Sequence, residues 1–365
     1  MTPILKARHR IDPRKGVAGA AGPGLDQRVR RVVAALVVLA SLAAPAAAGA
    51  LTVHVSGNSL LDGSGQPIRL LGVNRSGAEY ACIQGWGFFD GPVGAASIAA
   101  MQSWKINAVR VPLNEDCWLA INGAPAVYSG THYRRAVEGY VSRLRAAGLV
   151  VVLDLHWNAP GRLKATGQRP MADADHSPAF WASVATAFKG TSGLVFDLYN
   201  EPHDITWRCW RDGCTLNGHR LAGMQRLVNA VRGAGGTQPL MLGGLGWAND
   251  LSRWLAWRPT DSRRQLIASF HVYDFTSCST LACWQSPVGS VASRVPVVTG
   301  ELGEADCGHS FIDSYMNWAD TAGVSYLGWT WDTWDCSGGP ALISSYDGTP
   351  TAFGVGFRDN LASLP

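Results

Sequence analysis

The chain has 365 residues, nearly half of them hydrophobic and 16% charged, with 42 Gly, 15 Trp and 8 Cys. That composition excludes a disordered chain and leaves room for one large core. The formal charge of +4 comes from residues 1–50, which hold eight basic and two acidic residues; the remaining 23 basic and 25 acidic side chains give no electrostatic footprint for nucleic acid.

In chain order, Arg28, Arg30 and Arg31 precede the apolar run 32–42, and Ala46-Ala47-Ala48 follows. Basic, apolar and small-residue segments in that order read as a secretory leader with a cleavage site. The apolar run is shorter than the roughly 20 residues a membrane span needs. Residues 1–50 are therefore expected to be a signal peptide that is removed. Residues 51–365 would form one secreted, monomeric domain without a stable membrane span. All eight cysteines lie in that part, as expected of disulfides in an oxidising compartment. Eight cysteines allow on the order of a hundred pairings. The architecture favours Cys209–Cys214 and Cys278–Cys283 as local staples, with Cys82–Cys117 and Cys307–Cys336 tying neighbouring loops. Neither local pair has a matching second pair or histidines in register for zinc, so no metal and no cofactor is expected.

Segments 51–55 and 58–61 flank a Ser-Gly turn and read as a short N-terminal hairpin. Eight apolar runs follow, at 68–73, 106–111, 149–155, 194–199, 239–242, 266–273, 295–299 and 324–331. Between them lie stretches with helical spacing, including 133–147, 178–188, 221–231 and 311–322. Alternating strand and helix predicts parallel βαβ units, and eight of them predict an α/β fold of the (β/α)8 TIM-barrel type. A doubly wound sheet is less consistent, because no G-x-G-x-x-G follows the first run.

In such a barrel chemistry collects at the carboxyl ends of the strands. The runs end in polar or aromatic groups: Asn74, Arg110, Asp154 and His156, Asn200 and Glu201, His271 and Tyr273, Glu301, then Trp329 and Trp331. Glu201 closes a buried run that Pro202 stops, and a buried carboxylate needs a partner or a purpose. Glu201 and Glu301 lie about three βα units apart and should face each other across the mouth. Paired carboxylates suit glycosidic bond cleavage, one as acid and the other as nucleophile or base. There is no G-x-S-x-G, P-loop or H-E-x-x-H to support another chemistry.

Asn107-Ala-Val-Arg110-Val-Pro112, Asp154-Leu-His156-Trp157, Tyr199-Asn-Glu201-Pro202, His271-Val-Tyr273, Gly300-Glu301 and Gly328-Trp329 appear in an order that resembles glycoside hydrolase family 5, the cellulase family of retaining (β/α)8 enzymes. The resemblance spans the mature chain. It implies that Glu201 is the general acid/base and Glu301 the nucleophile, with Asn200 holding the sugar 2-hydroxyl. Arg110 would orient Glu301, Tyr273 would donate to it, and His271 would stand beside the acid/base. His156 and Trp157 would serve the substrate, and Trp329 would form the aromatic floor of the cleaved sugar. Trp331 and Trp334 compete for that floor: the Gly-Trp pairing favours Trp329, while alternation along a strand puts Trp331 on the same face.

The expected substrate is a β-linked polysaccharide, with cellulose-like β-1,4-glucan first. A mannanase, xylanase or exo-β-glucosidase of the same barrel clan is the alternative within enzymes. A non-catalytic carbohydrate-binding cell-wall protein is the alternative outside them, and its mark would be the loss of one carboxylate. Three further stretches remain. The glycine-rich aromatic loop 77–91 reads as cleft lining or as a disulfide-stapled loop packed on itself, Asp173 and Asp175 as polar loop or substrate contacts, and Trp207 with Trp210 as outer sugar sites or a shield for their loop.

Overall fold

Eight buried runs, rich in Val, Leu and Ile, pair side by side in parallel, and a computed structural model describes the result for residues 51–335 and 339–365. The strands are β1 (Leu71–Asn74), β2 (Ala108–Asn114), β3 (Val150–Trp157), β4 (Leu194–Asp197), β5 (Leu240–Gly243), β6 (Leu266–Tyr273), β7 (Val297–Gly303) and β8 (Ser325–Gly328). They hydrogen-bond in chain order, and β8 pairs β1 to close the barrel. Each position of β2, β4, β5, β6, β7 and β8 is buried, which explains why these strands read as continuous apolar runs.

Helices follow the strands: α1 (Ala95–Ser103), α2 (Thr131–Ala146), α3 (Ser177–Ala187), α4 (Met224–Gly233), α5 (Trp254–Trp257), short turns from Leu281–Cys283 to Gly289–Ala292, α6 (Ser310–Ala322) and α7 (Ala352–Ser363). In α2 the buried residues are Tyr133, Val137, Tyr140, Val141 and Leu144, the one-sided spacing that seats a helix on a sheet.

The expected hairpin gains a third strand: His54–Ser56, Ser59–Leu61 and Pro67–Ile68 form a small antiparallel sheet. Run 68–73 is thus split, its start serving this sheet and its end the barrel. Val53, Leu60 and Leu70 pack with Ala108, Val150, Val152, Val195, Met241, Ile267, Val298 and Leu327, the early residues of the barrel strands. The small sheet therefore plugs the amino-terminal mouth. Leu51 sits at this end, over Gly193 and Val150, and Pro365 lies there too, beside Asn58 and Ile68.

Disulfides join Cys82 to Cys117, Cys209 to Cys214 and Cys278 to Cys283. Cys307 is disulfide-bonded as well, but its expected partner Cys336 lies outside the described residues, as does the leader. No described helix is long and apolar enough to cross a membrane.

Candidate active site

Arg110 is fully buried on β2, and each of its five N–H groups has an acceptor. Nε donates to Asp197 at 2.9 Å, Nη1 to Asn74 and Glu301 at 2.9 Å each, and Nη2 to Asn200 at 2.7 Å, with Asp154 at 3.0 Å. A rigid, permanently charged fork suits such a convergence of planar acceptors. Asp197 was missed by sequence reasoning, although an acid inside a buried apolar run was a signal in plain view. Burial pushes the Asp154 carboxyl up to about 7, against the pull of Arg110.

Glu301 accepts from Arg110 and, at 2.6 Å, from the Tyr273 hydroxyl. Phe270 of β6 pairs with Thr299 and His271 with Glu301, so Gly300 is an extra residue in β7. That bulge re-aims the strand and sets Glu301 alongside His271. Glycine is required at the bulge, because a Cβ would lie 2.7 Å from His271 Nε2. His271 Nδ1 stands 3.0 Å from Glu201 and 3.6 Å from Glu301. Burial lowers its pKa to about 3, so the ring is neutral, with Nδ1 facing Glu201.

Glu201 lies four residues beyond the end of β4 at Asp197, followed by Pro202, which has no N–H to resume the ladder. Burial raises its pKa, opposed by a hydrogen bond from Gln168 and by the charge of Arg110. Gln168 is a second residue missed in the sequence; nothing in its loop marked it. Oxygens of Glu201 and Glu301 and a ring nitrogen of His271 lie within 4.8 Å of one another. Among the described residues this is the one cluster close enough to ligate a metal, and the Arg110 cation beneath it opposes a second positive charge.

These groups open into a pocket of about 590 Å³ at the carboxyl-terminal mouth, lined by Glu201, Glu301, His156, Gln168, Tyr273 and Trp329, together with Trp247 and Phe275. His156 Nδ1 binds Asp154 at 2.6 Å, its Nε2 lies 3.4 Å from the Asn200 amide, and its ring stacks on Trp329. Burial lowers the His156 pKa to about 4.

Trp331 does not reach the pocket, contrary to expectation. β8 ends at Gly328, so strand alternation no longer applies; Trp331 is fully buried edge-on against Trp104. Trp157 stands away from the pocket wall beside Tyr80, in an aromatic group that runs through Trp334 to Trp329. Loop 77–91 contributes Tyr80 and the exposed Trp86 to that group. Trp207 and Trp210 are buried in the core rather than displayed for sugars, and the Trp210 indole donates to Gly243. Asp173 is equally buried, accepting from Asn158 and from the backbone of Asp175 and His176. Glu304 caps α6 through the amides of Phe311 and Ile312.

A close carboxylate pair at the mouth of a (β/α)8 barrel, with an arginine and a tyrosine on one member, defines a glycosidase. The chain belongs to the cellulase family, glycosyl hydrolase family 5, whose model matches residues 61–335. It is 27% identical over 335 residues to a mannan endo-1,4-beta-mannosidase of Cellvibrio japonicus, covering 88% of this chain and 67% of that protein. It is 22% identical over 308 residues to the endoglucanase MaCel5A of a Microbulbifer species, covering 78% and 54%. The fold matches the beta-glucanase SdGluc5_26A of Saccharophagus degradans with a TM-score of 0.64 at 21% identity, covering 86% of this chain and 93% of that one.

Proposed function

We propose that the protein is a secreted, retaining, endo-acting hydrolase of β-1,4-linked polysaccharide, with glucan as its first substrate. The observation that carries this reading is the spacing of Glu201 and Glu301. Their nearest oxygens come within 4.8 Å, an approach that suits the roughly 5–5.5 Å between the carboxyl groups of a retaining pair.

In the first step Glu301 attacks C1 of the sugar as the C1–O bond to the leaving sugar breaks, and Glu201 gives its proton to that oxygen. In the second, water attacks C1, the C1–Glu301 ester bond breaks, and the water proton passes to Glu201. The raised pKa of Glu201 supports the acid role, because the group must hold a proton at rest. Arg110 and Tyr273 occupy one oxygen each of Glu301 and fix its attack geometry. Asn200 serves the sugar 2-hydroxyl, and Trp329 with His156 forms the floor and wall of the cleaved residue. Trp334, Tyr80, Trp157 and Trp86 continue the aromatic surface outward, which suits a longer chain and so endo action.

β-Mannan is the second reading, favoured by the mannanase relative described above. Three described disulfides support secretion. Glu201→Gln and Glu301→Gln should each cut hydrolysis of soluble cellulose, mixed-linkage glucan and mannan by at least about a thousandfold. Near-normal rates in either variant would refute the assignment. Proton NMR of the first product should show the β-anomer; an α-anomer would exclude retention.

A further inference from the structure

We propose that Ser269 is a positioning residue for the acid/base: its hydroxyl donates to Nε2 of His271, which leaves the single ring proton on Nδ1, facing Glu201. This deepens the glycosidase reading and rests on it for the roles of Glu201 and Glu301.

A neutral imidazole has one N–H, and the bond made by one nitrogen decides which of the two carries it. His271 is neutral, because burial outweighs the nearby Glu301. Its Nδ1 stands 3.0 Å from Glu201 Oε1 and 3.6 Å from Glu301 Oε2. Glu301 works ionised, and its Oε2 accepts from the Tyr273 hydroxyl. Glu201 is ionised too once its proton has gone to the leaving oxygen. A lone pair on Nδ1 would then meet two carboxylates and no proton. A proton on Nδ1 suits both stages, since Glu201 can accept from it whether ionised or protonated. Nε2 is then a bare acceptor on a fully buried ring, where an unpaired polar atom is costly.

Among the described residues, Nε2 of His271 and Oγ of Ser269 are both buried without a hydrogen-bond partner. The two residues are two positions apart on β6, so their side chains share a face. A Cβ on Gly300 would lie 2.7 Å from the first atom and 3.0 Å from the second, so both converge on one spot of β7. The hydroxyl is the member of the pair with a proton to give. Directly or through one bridging water, that proton reaches Nε2. The bulge therefore does more than re-aim Glu301: its glycine keeps the space beside Ser269 and His271 clear. Glu201 and His271 are also faced by Glu301 from β7, Arg110 from β2, His156 from β3, Gln168 from its loop and His203 beyond Pro202. None of these bonds to Nε2.

Long-range proton–nitrogen NMR of protein carrying nitrogen-labelled histidine reads the tautomer, with His271→Gln assigning the signals. Near neutral pH the wild-type ring should hold its proton on Nδ1; a proton on Nε2 would overturn the proposal whatever the variants do. In Ser269→Ala the two nitrogen shifts should move toward each other as the second tautomer gains population. That variant should also lose about tenfold in kcat on soluble cellulose or mannan. Its alkaline limb of kcat/KM should move up, because an ionised Glu201 without a fixed donor binds its proton more tightly. Ser269→Thr keeps the hydroxyl and should return shifts, rate and limb toward wild type. Unchanged shifts and an unchanged limb in folded Ser269→Ala would overturn the proposal even if the rate fell, since lost packing alone moves neither. A proton on Nδ1 in wild-type protein that hydrolyses no polysaccharide would instead overturn the glycosidase reading, with the Ser269–His271 bond left standing.

Discussion

A hydrogen bond from a neutral amide decides how far the Glu201 proton is held. Burial raises the Glu201 pKa, and the Gln168 amide is the first influence pulling it back. Gln168→Leu removes that donor and should move the Glu201 pKa up. An acid that works in its protonated form then stays competent to higher pH, so the alkaline limb of kcat/KM should shift upward. An unmoved limb with intact folding would show that Gln168 has no hold on the acid. At this scale much of the site was legible, because Arg110, His156, Asn200, Glu201, His271, Tyr273, Glu301 and Trp329 all stand at ends of apolar runs. Gln168 was not, because its place depends on a loop whose course is set by tertiary contacts. Asp197 is a different case: its acid stands in plain view inside an apolar run, but it precedes the strand end where chemistry was expected.

The loop that carries Gln168 is held by an element-to-element junction. Glu115 opens the helical turn after β2, Ser177 opens α3, and Asp173 lies in the loop between β3 and α3. Ser177 Oγ lies 2.6 Å from Glu115 Oε2 and 3.0 Å from Asp173 Oδ2. One hydroxyl has one proton to donate, so bonds to both carboxyls require a second proton on one of them. Asp173 already accepts from three N–H donors, which leaves Glu115 as the protonated member. Burial first, and Asp173 second, hold the Glu115 pKa well above its ordinary value. Its stabilising contribution is complete at pH below the unfolded carboxyl value and is lost as pH rises through the folded value. Glu115→Gln should therefore melt like wild type in acid and above it in alkali. Thermal melts showing parallel pH dependence in both proteins would refute the shared proton. Element boundaries were legible where one pattern ruled, as in α2. Run 324–331 was read too long because Trp329 and Trp331 look like strand residues, whereas the backbone turns after Gly328, with Trp331 N bonded to the Asn74 carbonyl.

Across the whole molecule, eight alternations of apolar run and helical spacing made the barrel readable, while its closing pair, β8 with β1, rests on residues more than 250 positions apart. The three described disulfides lie in the loops around the carboxyl-terminal mouth and were also legible, two of them from close spacing. They differ in what they constrain. Cys82–Cys117 spans 35 residues and Cys278–Cys283 five. Chain entropy then assigns about 4 kcal/mol to the first and about 2 kcal/mol to the second. Replacing Cys82 and Cys117 together by Ala should lower unfolding stability by about twice as much as the same change at Cys278 and Cys283, measured by denaturant titration. Equal losses would place the stabilisation in local packing instead.

The plug at the amino-terminal mouth has a practical consequence. Leu51 and Pro365 both emerge beside it, on the face of the barrel away from Glu201 and Glu301. A linker, tag or solid support joined at either of these positions would grip the domain from below. The cleft would then point into solution, open to a polymer too large to diffuse around its own anchor.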